Sequence, residues 1–141
     1  MKRRLILLFD GTWMRPARLL ANEPGIEVLR ECSNGTEALE CIQKCRPDLL
    51  FLDVQMPGMD GFQVMEQLAR INGHAPLPFV VFVTAHDKYA LKAFNVNAVD
   101  YLLKPYDDER FHASLEKARR FIEMRMSTKL TGKLMDLMRE H

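Results

Sequence analysis

The feature that most constrains this chain is a rhythm: short apolar runs, each lacking the polar alternation of a half-exposed strand, recur with helix-like segments between them. Strands buried on both faces need such continuous runs, and the pattern is that of a parallel sheet covered by crossover helices. Leu5–Phe9, Ile26–Leu29, Leu49–Leu52, Phe79–Val83 and Ala98–Leu103 are the predicted strands. Pro47 and Pro78 stand at strand entries, where a missing N–H costs no ladder bond. Thr36–Cys45 carries Ala38, Leu39, Cys41, Ile42 and Cys45 on one side, with capping residues at Asn34-Gly35-Thr36, and reads as a helix. Phe62–Ile71 repeats the pattern and stops at Asn72-Gly73. A shorter helix is predicted over Asp87–Phe94, capped by Asp87, and a last one from Asp107 or Asp108 to about Met126, with Asp60 a further cap. Pro16 sets the start of a short first crossover helix near Met14 to Pro16, ending at about Asn22.

Right-handed crossovers between five such strands imply an α/β fold: a five-stranded, parallel, doubly wound sheet with helices on both faces. The 141 residues suffice for one domain, expected over 1–125, followed by a basic amphipathic tail or linker over 126–141. Twenty basic and nineteen acidic residues leave a formal charge of +1, which lacks the field of a dedicated nucleic-acid or membrane binder. The apolar run after Met1-Lys2-Arg3-Arg4 stops at Asp10, too short for a signal peptide, and no other stretch could span a bilayer. A cytoplasmic location is the expectation. Cys32, Cys41 and Cys45 have no further ligand nearby to complete a metal site and read as reduced packing residues, and Trp13 as packing or a loop anchor.

In doubly wound sheets ligands gather at the carboxyl ends of the strands. Asp10, Asp53, Thr84 and Lys104 stand there, after strands one, three, four and five. This set suits phosphoryl chemistry: one carboxylate accepts, a second holds Mg²⁺, an ammonium neutralises phosphoryl oxygens and a hydroxyl donates a hydrogen bond.

Asp53-Val54-Gln55-Met56-Pro57-Gly58-Met59-Asp60-Gly61 resembles the phosphoacceptor segment of response-regulator receiver (CheY-like) domains. Thr84-Ala85-His86-Asp87-Lys88-Tyr89-Ala90-Leu91-Lys92-Ala93-Phe94 and Asp100-Tyr101-Leu102-Leu103-Lys104-Pro105 resemble the LytTR class of that family, the likeness covering roughly residues 26–125. The resemblance implies a flavodoxin-like sheet of order 2-1-3-4-5 and a two-component phosphoacceptor domain, an enzyme at most in its own phosphorylation and dephosphorylation. It implies Asp53 as acceptor, Thr84 as switch hydroxyl, Lys104 as phosphoryl-binding cation and Tyr101 as the aromatic that rotates inward. Gln55 and His86 would tune hydrolysis, and a cis bond would precede Pro105. Mg²⁺ would be held by Asp10, Asp53 and the backbone carbonyl of Gln55. The implied partners are a histidine kinase and a homodimer mate, the latter through the fourth expected helix, the fifth strand and the last helix. No DNA-binding domain of the LytTR class follows in this sequence, so direct DNA contact is not expected from it.

The likeness departs at strand one, where receivers carry two adjacent acids and this chain reads Leu8-Phe9-Asp10-Gly11-Thr12. A water can replace the missing carboxylate around Mg²⁺, at a cost in affinity. Two alternatives therefore stand beside the main reading. One is a degenerate receiver that docks or dimerises without phosphate. The other is a haloacid-dehalogenase-like phosphatase, suggested by Asp10-Gly11-Thr12 but lacking a nucleophile where Leu8 stands. A nucleotide-binding Rossmann enzyme is disfavoured, because no glycine-rich loop follows strand one.

Overall fold

The computed structural model describes residues 3–8, 23–56, 58–73, 76–95 and 98–139. In chain order these form β1 (Arg3–Leu8), β2 (Ile26–Cys32), α1 (Gly35–Cys45), β3 (Leu49–Asp53) and α2 (Gly61–Asn72). There follow β4 (Phe79–Thr84), a 3-10 turn (Asp87–Tyr89) running into α3 (Ala90–Asn95), β5 (Asp100–Leu103) and α4 (Asp108–Arg139). Asp10, Gly11, Trp13 and the expected first crossover helix lie outside the described residues. The strands pair in parallel in the order β2-β1-β3-β4-β5.

Every residue of β3 is buried, and alternation sends its side chains into two separate cores. Leu50 and Leu52, with Val80 and Phe82 of β4, meet Ala38, Cys41 and Ile42 of α1 and Phe62, Val64, Met65 and Leu68 of α2. Leu49 and Phe51, with Val81 and Val83, meet Phe111, Leu115, Ala118 and Ile122 of α4, whose 4-3-4 spacing makes one helical stripe. Ring pairs tie each face: Phe62 to Phe82 with centroids 4.6 Å apart, Phe51 to Phe111 at 5.0 Å. Helices thus cover both faces, for the reason the continuous apolar runs predict.

The element ends follow local chemistry. The Asn34 side chain accepts from the Glu37 N–H at 2.8 Å. Asp60 and Gln63 form a reciprocal capping box, and Gly73 ends α2 with φ 59°. Asp107 accepts the Arg110 N–H at 2.7 Å and so caps α4. Three expectations need correction. Asp87 caps nothing: the N-cap position is His86, whose side chain makes no capping bond, because the chain enters α3 through a tight 3-10 turn that includes Asp87. β5 begins at Asp100 rather than Ala98. The last helix runs to Arg139 rather than Met126.

Where α4 leaves the sheet, the Arg125 guanidinium lies 3.8 Å from the Phe79 ring centroid and donates to the Leu77 carbonyl at 2.7 Å. Cys32 and Cys41 are buried, Cys45 half-buried, and all three thiols are unoxidised. Burial pushes the Cys32 thiol up to about 12, an unreactive state that suits a packing role.

Candidate phosphoacceptor site

Parallel pairing aligns the strand ends. Asp53 stands opposite Val83, the Val54 N–H donates to the Val83 carbonyl at 2.9 Å, and the Lys104 N–H donates to the Thr84 carbonyl at 2.8 Å. β3, β4 and β5 therefore deliver Asp53, Thr84 and Lys104 to one rim. The Lys104 ammonium reaches Asp53 Oδ2 at 2.7 Å, with side chains only 4% and 2% exposed respectively. Asp53 Oδ1 accepts the Gln55 N–H at 2.9 Å, so each carboxylate oxygen is held by a donor. Thr84, 1% exposed, accepts the His86 N–H through its hydroxyl oxygen at 3.2 Å.

The remaining predicted residues sit around this rim. Tyr101 packs against the core on the α1–α2 side of the sheet, and its hydroxyl donates to the His86 carbonyl. The side chains of Gln55 and His86 are exposed beside the pair. The Lys104–Pro105 bond is cis. Asp10 lies outside the described residues. A neighbour not singled out in the sequence is Tyr106: burial, and then the Asp53 charge, push its phenol up to about 12. Gly61 is the second addition. A Cβ there would lie 2.6 Å from the Asp53 carbonyl oxygen, so only glycine lets α2 start this close beneath the acid.

The Asp53 carboxylate offers oxygen donors, which suit a hard cation such as Mg²⁺ rather than a soft one. Among the described residues no group of three or more metal-ligating side chains converges. The Asp53 carboxylate thus fits a Mg²⁺ site in chemistry.

Residues 12–116 match the family model described as response regulator receiver domain. The chain belongs to the response regulator receiver family. This receiver is 46% identical over 122 residues to an uncharacterized response regulatory protein of Yersinia pestis, covering 83% of this chain and 48% of that protein. It is 43% identical over 100 residues to the transcriptional regulatory protein BtsR of Escherichia coli K12, covering 71% and 40%. The chain thus spans under half the length of these curated relatives. Among solved structures, the REC domain of the response regulator AraT from Geobacillus stearothermophilus superposes with a TM-score of 0.77 at 30% identity, covering 89% of this chain and 99% of that one. The response regulatory domain of mrkE from Klebsiella pneumoniae gives 0.74 at 28%, covering 86% and 98%. These matches establish a CheY-like receiver fold with a parallel sheet and helices, in a receiver of a two-component response regulator. They favour that reading over the phosphatase. No helix among the described residues is long and apolar enough to cross a membrane.

Proposed function

We propose that this receiver accepts a phosphoryl group on Asp53 from a phosphohistidine of a partner histidine kinase and passes the change to the surface made by α3, β5 and α4. The observation that carries the reading is the Asp53–Lys104 pair at the joined ends of β3 and β5, with the Thr84 hydroxyl on the strand between them. An Asp53 oxygen attacks phosphorus, the phosphorus–nitrogen bond to the imidazole breaks, and its electron pair stays on that nitrogen. Mg²⁺, held by Asp53, the Gln55 carbonyl and Asp10, would supply charge neutralisation between carboxylate and incoming phosphate. Lys104 holds the carboxylate at 2.7 Å and exchanges it for a phosphoryl oxygen. Thr84 turns its hydroxyl from the His86 N–H toward the phosphoryl group, and the Tyr101 side chain responds to the space this leaves. Gln55 and His86, exposed beside the acid, tune how water reaches the acyl phosphate.

The motifs around Thr84 and Tyr101 support assignment to the LytTR class, and the α3–β5–α4 surface is the proposed dimer or effector face. Regulation of transcription, the role in the printed name of BtsR, is the output we assign to the longer protein that such a receiver serves. The test is intact-mass measurement after incubation with acetyl phosphate and Mg²⁺. Wild type gains one phosphoryl group and Asp53→Asn gains none, with unchanged circular dichroism. An unlabelled wild type would instead support the degenerate docking module suggested by the single acid after strand one.

A further inference from the structure

Ile122 is the last residue of α4 held in the core, and every residue from Glu123 to Arg139 is exposed. This stretch continues a packed helix but gains no tertiary packing of its own, from which most helical stability in proteins comes. Ser127, Thr128, Thr131 and Gly132 weaken it further. Four of its large apolar residues nevertheless form a line: Leu130, Leu134 and Leu137 follow the 4-3 spacing of a coiled-coil seam with Met138 beside them, at 66%, 59%, 57% and 69% exposure, while Met124 and Met135 lie off it. At about 100° per residue this seam lies roughly a quarter turn from the core-facing stripe of Phe111, Leu115, Ala118 and Ile122, so it serves a different contact.

We propose that residues 127–139 pair with the same segment of a second copy of this chain as a short parallel coiled coil. A heptad seam selects another helix, and one projecting past the sheet needs a partner that projects equally far, which a second copy does. Within residues 127–139 the charges allow it: Arg139 falls opposite the seam, Lys129 and Asp136 to one side, and Lys133 borders it, where its alkyl stem can cover apolar surface; Glu123, one heptad before Leu130, marks where the seam begins. The four apolar side chains present on the order of 400–500 Å², within the range of the largest patch a monomer carries. Two such strips face to face bury about 1,000 Å² with their flanks, the lower bound for a specific interface. Parallel pairing sets each leucine against its own counterpart. Antiparallel pairing centred on Leu134 would set Leu137 against Thr131.

Analytical ultracentrifugation of the full chain up to about 100 μM, a range that detects micromolar pairing, tests this without phosphodonor. Wild type should sediment as a dimer, Leu134→Lys as a monomer with weaker helical circular dichroism, and Leu103→Glu, on the α3–β5–α4 surface, as a dimer still. Leu134 is remote from the core, so an unchanged thermal transition of the core shows that Leu134→Lys folds. Leu130→Cys and Leu137→Cys should each form a disulfide-linked dimer on mild oxidation, since no single antiparallel register sets both positions against their own counterparts. A monomeric wild type, a dimer that survives Leu134→Lys, a dimer lost in Leu103→Glu, or a monomer that instead sediments with anionic phospholipid vesicles would each overturn the proposal. Because phosphorylation is absent from the assay, its outcome is independent of the Asp53 assignment.

Discussion

Lys104 and Asp53 are each nearly removed from water and compensate one another across 2.7 Å. Removing one partner leaves the other as a buried charge, which costs more than the pair is worth. Lys104→Met should therefore destabilise the domain by about 3 kcal/mol, and adding Asp53→Asn should return part of that loss. Urea unfolding of the two single variants and the double variant checks this, and additive losses would contradict it. Asp53, Thr84 and Lys104 were legible in the sequence because each stands at the end of a short apolar run that reads as a strand of a parallel sheet. Tyr106 was not: its nearness to Asp53 depends on the turn taken after β5, which no periodicity encodes.

Gly61 shows how an element's start can be dictated by its neighbour. α2 begins where its N–H donates to the Val54 carbonyl at 3.0 Å, directly under the end of β3. Gly61→Ala places a methyl group against the Asp53 carbonyl, so either the helix start or the acid must move. The expected result is a loss of about 1–3 kcal/mol, as for overpacking in general, together with slower labelling by acetyl phosphate. Labelling at the wild-type rate would show that the strain relaxes away from Asp53. Helix starts with a side-chain cap, at Asn34 and Asp60, could be read from sequence because the cap is local chemistry. The 3-10 entry to α3 could not, since Asp87 is an equally good cap in isolation. The far end of α4 was misplaced because Ser127 and Thr128 lower propensity without removing a hydrogen bond as proline would.

At the scale of the molecule, β5 and α4 are joined by Asp100, which receives two Arg110 nitrogens at 2.8 and 3.0 Å and the Ser114 hydroxyl. Burial opposes ionisation of Asp100, but the Arg110 and Ser114 hydrogen bonds and the Tyr101 N–H outweigh it and hold the carboxyl at about 2. An unfolded Asp100 takes up its proton near pH 4. The folded domain keeps the charge further down, so this contribution is complete above pH 4 and is lost as pH falls toward 2. With the partial exposure of the pair, it amounts to about 1–2 kcal/mol. Asp100→Asn should flatten that part of the acid branch of a stability–pH curve, and an unaltered curve would contradict the assignment. The parallel sheet with helices on both faces was legible, since it rests on the period of the apolar runs.

The grip of Arg125 on Phe79 and Leu77 sits where α4 quits the sheet, and the rod beyond it is roughly 20 Å long at the helical rise per residue. Geometry then acts as a lever arm. A tilt of about 10° at that fulcrum sweeps the far tip through some 3–4 Å by the same helix geometry, so a small adjustment beside β4 becomes a displacement wide enough to separate or align whatever the tip holds.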